Sequence, residues 1–286
     1  MNNQELNRLI YQTFDGLEKN NFATLGHPEM PMWERPLIGV SSGDDPYFDF
    51  LKDHIGTFHW KPIEVFRLKY DEEERGVPIL EKNLRVVSMA FPQVMGTKEA
   101  QCEEKICPSK NWLVSRGEWE PLMKEFSGRL VGELEKRGIS CVSIDLQPEF
   151  SRETSERMGI ASKWSHRHGA YASGLGTFGL SDGFITEKGK AVRMTTLIVE
   201  LPLTVKPRPY TTHHEWCLYF KDGSCGLCID RCPVHAISEK GHDKERCAAY
   251  EEEVLEKYYP EDLDNSNYIF GCGLCQVDIP CQNKRP

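Results

Sequence analysis

"CGLCIDRCPVHAI" occupies residues 225–237 and "CGLCQVDIPC" residues 272–281, so the tetrapeptide CGLC is written twice. Two cysteines with two residues between them put both thiolates on one side of a tight loop, and glycine lets the backbone close around a bulky group. Zinc ribbons and iron–sulfur proteins both use this device. The continuation of the first copy favours iron and sulfur. Cys232 comes three residues after Cys228, then Pro233 and a short helical start. That is the second half of the bacterial ferredoxin run, in which the cysteine before proline ligates the other cluster. A zinc ribbon has no use for the Cys-Pro. Zinc, and thiols with a structural or redox role, stand as the alternatives.

Two departures from that run define the expected ligands. Its first cysteine should lie three residues before Cys225, where this chain has Asp222; Cys217 in "WCLYFKDGSC" is the nearest replacement. The second copy should place Cys-Pro soon after Cys275, but the chain reads Asp278-Ile279-Pro280-Cys281. The longer loop lets Cys281 swing back to the neighbouring cluster. Each CGLC turn then serves one cluster, and the two exchange their trailing cysteines. The distribution of cysteines agrees. Of the 11, Cys102, Cys107 and Cys141 are scattered, whereas the other eight fall within residues 217–286. Clustered cysteines in a reducing compartment usually bind metal, and eight thiolates divide into two 4Fe–4S centres.

The chain has 286 residues, 39% of them apolar, and a net charge of −9. That allows one large domain, or a domain of about 200 residues and a small module. The charge argues against a nucleic-acid surface covering the whole protein, although a sum says little about local patches. No apolar run approaches the length that crosses a bilayer. At the amino terminus Leu6, Ile10, Phe14 and Leu17 follow one helical face, with none of the features of a signal peptide. A cytoplasmic protein without membrane contact is expected.

"LRVVSMAF" (84–91), "ISCVSID" (139–145) and "MTTLIVEL" (194–201) read as buried strands. Between the first two, Leu122, Phe126, Leu130 and Leu134 keep helical spacing up to a stop at Gly138. Strand, long helix, strand indicates an α/β unit. Residues 202–216, with three prolines, read as a linker. The expected division is an α/β cofactor and substrate domain over 1–201, with a helical part or lid within 1–80, then the linker, then a double-cluster module over 217–286.

"YASGLGTFGL" (171–180), followed by "CGLCIDRCPVHAI", "ERCAAY" (245–250) and "FGCGLCQ" (270–276), resembles the epoxyqueuosine reductases and the related reductive dehalogenases. The resemblance implies a nitroreductase-like α/β domain that binds cobalamin and a ferredoxin-like module with two 4Fe–4S clusters. It implies Cys225, Cys228 and Cys281 for one cluster, with Cys217 in place of the missing cysteine, and Cys232, Cys247, Cys272 and Cys275 for the other. It also implies a glycine turn at the cofactor, matched by Gly174, Gly176 and Gly179. The family's acidic proton donor lies in an Asp-x-x-Pro segment. The nearest such segment is "IDLQPEF", which makes Asp145 a candidate, although it lies well upstream of the glycines.

"WSHRHGAY" (164–171) is the other candidate for chemistry. His166 or His168 could deliver a proton, Arg167 could hold an anionic group of a cofactor, and Tyr171 is a further donor. The bland reading makes them satisfied polar groups at a domain junction. Cys102 and Cys107 read as free thiols in a surface loop, His213 and His214 as non-ligands, and the run around residues 250–265 as a solvated acidic face. The expected function is an iron–sulfur oxidoreductase. Electrons from a ferredoxin or flavodoxin would pass through two clusters to a cofactor, cobalamin by resemblance, and reduce a small molecule. Nucleic acid is not expected. The alternatives are an electron-transfer or partner-docking protein without cobalamin and an epoxyqueuosine reductase acting on transfer RNA.

Overall fold

The computed structural model describes residues 1–259 and 271–286. Its strands are β1 (Leu37–Ser42), β2 (Leu84–Pro92), β3 (Cys141–Ser143), β4 (Arg152–Ser155), β5 (Gly159–Ser162), β6 (Gly176–Phe178), β7 (Phe184–Thr186), β8 (Val192–Glu200), β9 (Ile237–Ser238) and β10 (Gly241–His242). β2 and β8 pair antiparallel from Leu84 opposite Glu200 to Pro92 opposite Val192. β1 adds outside β2, and β3 lies on the far side of β8, giving the order β1-β2-β8-β3. The helix Trp119–Glu135 joins β2 to β3, but the two are not neighbours. β8 lies between them, antiparallel to both. Hairpins β4–β5 and β6–β7 stand apart from this sheet.

The central strands are apolar on both faces because both faces are covered. Val87, Met89 and Phe91 point into one core with the helices Asn3–Asp15 and Trp119–Glu135, where Phe14 and Phe91 lie 5.1 Å apart and Phe91 and Phe126 5.6 Å apart. Val86 and Ile198 point the other way, toward Phe48, Phe66 and Trp164. That alternation is the two-residue period of a strand. Residues 1–80 therefore contribute an edge strand and a packed helix whose first turn is closed by an Asn2–Glu5 capping box.

Residues 202–216 contain no helix or strand, as their prolines suggest, yet they are packed. Tyr210 and Trp216 are buried in a third core with Tyr171, Phe178, Cys217, Cys228 and Cys232. The cysteine-rich segment and the sheet domain thus share one hydrophobic core, with an intimacy that a free linker would not allow.

Several histidines are buried in this frame. His59 has no hydrogen-bond partner for either ring nitrogen, and burial pushes it down to about 4. His213 meets the Tyr47 hydroxyl at 2.6 Å and is likewise pushed by burial to about 4. Both have folded values below the ordinary 6.5, so the unfolded chain takes up protons that the native state refuses. Their contribution is complete above pH 6.5 and is lost as the pH falls toward 4. Urea midpoints at fixed ionic strength should therefore drop through that window, and a flat profile would contradict the assignment.

Candidate functional site

Two cavities meet the cysteine-rich segment, and together they sort its thiols. The larger, of about 430 Å³, is lined by Cys232, Cys247, Cys272 and Cys275. The narrower, of about 20 Å³, is lined by Cys217, Cys225, Cys228 and Cys281. Among the described residues no three His, Cys, Asp or Glu side chains converge on a single-ion position; each set of four instead borders a space. The first CGLC turn and Cys281 face the narrow cavity, while Cys232 faces the large one with the second turn.

Local structure explains the division. The turn Leu227–Asp230 ends at Arg231, and Pro233 follows Cys232, so the chain leaves the first CGLC in a new direction. In the second, Gly273 adopts φ +67°, a left-handed value that favours glycine. Trp112 packs so closely there that a methyl at Gly273 would overlap its indole. Trp112 Nε1 also donates to the Gly271 carbonyl at 2.9 Å, and Gln101 Nε2 donates to that of Cys272 at 2.9 Å. The segment around Cys102 and Cys107 thus buttresses the second turn; Cys102 Sγ lies 3.4 Å from Gln282 Oε1.

Lys190 lines both cavities. Its ammonium donates to Ser181 Oγ and, at 3.4 Å, to the Cys275 carbonyl. Burial alone would lower its pKa, but Cys275, Cys281, Cys228 and Cys217 together hold it above the ordinary lysine value. A buried cation between two thiol sets suits anionic iron–sulfur centres, whose negative charge needs compensation in a low dielectric. The thiols themselves are raised by burial, Cys228 to about 11 and Cys247 to about 12. Loading metal onto them must therefore release protons.

The sequence candidates outside the cysteines separate into two groups. His166 and Arg167 line the large cavity. His166 Nδ1 lies 2.9 Å from Thr196 Oγ1 and its Nε2 3.7 Å from Asp145 Oδ1, while Thr195 donates its hydroxyl to Asp145. Burial pushes His166 below its ordinary value although Asp145 opposes this, which leaves a neutral imidazole at pH 7. Arg167 donates to the Asp182 carbonyl at 2.5 Å. His168 and Tyr171 are not among the lining residues. His168 Nδ1 is held at 2.7 Å by Ser165 Oγ and its ring packs on Phe178, whereas Tyr171 sits beneath Arg208. Of the three glycines, Gly174 (φ +79°) ends the helix His166–Ala172, and Gly176 packs against the Ile185 carbonyl. Gly179 borders the narrow cavity. Close packing requires glycine at position 176, and the left-handed backbone favours it at 174. His213 and His214 lie outside both cavities, and the far end of the acidic run, residues 260–265, lies outside the described residues. The sequence reading did not single out Lys190, Trp112, Arg116 or Arg193, all of which line the large cavity; isolated residues have no spacing that would mark them.

Residues 223–280 match the model of the 4Fe-4S double cluster binding domain. With the two four-cysteine cavities, that defines an iron–sulfur protein of the double-cluster class. The chain is a relative of proteins named epoxyqueuosine reductase. It is 34% identical to the one from Xanthomonas campestris pv. campestris over 259 residues, covering 85% of this chain and 64% of that protein. Matches to others of that name run from 35% of the Leadbetterella byssophila protein to 64% of the Lactococcus garvieae one, so the matched part is about a third to two thirds of these relatives. Among solved structures, epoxyqueuosine reductase with a tRNA-Tyr epoxyqueuosine-modified stem loop is 18% identical with a TM-score of 0.48, covering 96% of this chain and 66% of the other. A catabolic reductive dehalogenase is 19% identical with a TM-score of 0.41, covering 62% and 24%. No helix among the described residues is long and apolar enough to cross a membrane.

Proposed function

We propose that the protein is an iron–sulfur reductase whose substrate is reduced in the 430 Å³ cavity. The observation that carries this reading is the placement of a four-cysteine set and His166 at one space, with Asp145 behind the imidazole, outside the lining. When bound, the clusters supply single electrons at low potential. The first is assigned to Cys217, Cys225, Cys228 and Cys281, the second to Cys232, Cys247, Cys272 and Cys275. Lys190 offsets their charge from between. Thr196 anchors His166 Nδ1 and Asp145 lies behind Nε2 at 3.7 Å, so the imidazole is the group placed to pass a proton to a departing oxygen. Trp164 and Phe150, also in the lining, exclude water.

The expectation that placed a small molecule first and set nucleic acid aside is corrected in emphasis. The relatives' names favour reduction of an epoxy group on a modified nucleoside, and transfer RNA enters as a substrate class to be tested. The net charge of −9 is a sum and does not oppose a local docking face. A ferredoxin or flavodoxin donor and the nitroreductase-like and ferredoxin-like descriptions of the two parts stay as proposals. No residue here is assigned to a corrinoid such as cobalamin, and no step runs through one.

Assays of epoxyqueuosine in transfer RNA against the free nucleoside, with a chemical reductant, test the substrate class. Asp145→Asn should lower turnover by roughly 100-fold to 10,000-fold while leaving the cluster absorption intact. Parental turnover in that variant would remove Asp145 from the mechanism.

A further inference from the structure

Arg116 and Arg193 both border the large cavity. Arg116 is 9% exposed, and its Nε and Nη1 have no hydrogen-bond partner. Arg193 stacks over the Trp119 ring at 5.9 Å, and among the described residues it has no ion pair. The two guanidiniums converge on Gly271, where an added Cβ would lie 3.2 Å from Arg116 Nε and 3.9 Å from Arg193 Nη2. Two like charges held together and unpaired are costly in a protein interior. Glu251, also in the lining, accepts the Cys272 amide at 3.2 Å through Oε1, and with Glu120 it attracts both guanidiniums without a hydrogen bond to either. Lys190, at the contact of the two thiol sets, already supplies the cation that the clusters need. Arg116 Nε and Nη1 are left as buried donors with no acceptor among the described residues.

We infer that Arg116 and Arg193 form a binding site for an oxyanion, a phosphate or carboxylate of the substrate, at the floor of the large cavity. Guanidinium forks match such groups in bidentate geometry. Gln93 Oε1, a buried acceptor without a donor in the same lining, calls for a hydroxyl or amide N–H beside the anion. The inference rests on the reading of this cavity as the substrate site, but anion binding is measured without turnover. An inactive protein that still binds an oxyanion would overturn the reductase reading alone.

The test uses the cluster-loaded full chain in anion-poor buffer, titrated with inorganic phosphate and, separately, with acetate. Thermal denaturation and calorimetry are the readouts. The parent should gain stability with at least one of the two anions, and Arg116→Gln and Arg193→Gln should each bind that anion roughly 10-fold to 100-fold more weakly. Without anion, Arg116→Gln should melt no lower than the parent, because it removes an unpaired buried charge. Cluster absorption and iron content should be unchanged. No anion effect in the parent, or an equal effect in both variants, overturns the inference. So does a loss of iron in the variants, since the arginines would then serve the cluster. If Arg116→Gln fails to accumulate, the Arg193→Gln comparison decides alone.

Discussion

Cys232→Ala is expected to lose the iron of one cluster only, and not the one its sequence position suggests. Cys232 follows the first CGLC turn directly in the chain, yet it lines the large cavity with Cys247, Cys272 and Cys275. Its Sγ accepts the Ala236 amide at 3.2 Å, a contact that fixes the sulfur's direction and helps to set the potential of whatever it ligates. The variant should retain about four iron of about eight, and its electron paramagnetic resonance spectrum should match that of Cys275→Ala. Cys281→Ala should give the complementary spectrum, matching Cys228→Ala. A Cys232→Ala spectrum that matched Cys228→Ala would mean that each CGLC keeps its own trailing cysteine. Equal loss from both clusters in a folded protein would also contradict the exchange.

Gly273→Ala should be severely destabilising. The residue sits at φ +67°, where an L side chain costs roughly 1–2 kcal/mol. The new methyl would also overlap the Trp112 indole, and overpacking of this kind adds typically about 1–3 kcal/mol. The expected loss is therefore about 2–5 kcal/mol, read as a lowered urea midpoint. Because the strain falls between Cys272 and Cys275, the second cluster should also load incompletely. Trp112→Phe removes the colliding indole atoms Cζ2 and Nε1 but also the bond to the Gly271 carbonyl, so the double variant should recover only part of the loss, with the φ +67° strain remaining. Gly226→Ala in the first CGLC is the control. Gly226 has φ −156° and Ile229 Cδ1 at 3.7 Å as its nearest obstacle, and that variant should be mild. Similar losses at both positions would show that the glycines matter for the motif rather than for local packing.

The features legible in the chain are those whose residues lie close together in it. The CGLC turns, the Cys-Pro, the amino-terminal helix and the helix Trp119–Glu135 are local patterns, and their residues meet through backbone geometry alone. The interior strands were legible because burial on both faces leaves an unbroken apolar run. Strand order was not, since β8 comes between β2 and β3 only through pairing across more than 100 residues. β1 has an interrupted burial pattern and carries a glycine pressed on Ser173, so it shows little strand periodicity. The motif around residues 164–180 divides in space. His166 and Arg167 reach the cavity, His168 turns to Ser165, and Gly176 permits close approach to the Ile185 carbonyl. Asp145 meets His166 across 21 residues because the β4–β5 hairpin lies between them in sequence and outside them in space. The cations Lys190, Arg116 and Arg193 belong to no motif. They acquire meaning only from what surrounds them.

The most direct test of two clusters held four and four is the iron and acid-labile sulfide content of the anaerobically reconstituted full chain, with zinc and cobalt measured on the same sample. About eight iron and about eight sulfide per chain, with a broad charge-transfer absorption and no zinc, is the predicted result. Zinc in place of iron, or no more than about four iron per chain, would contradict it.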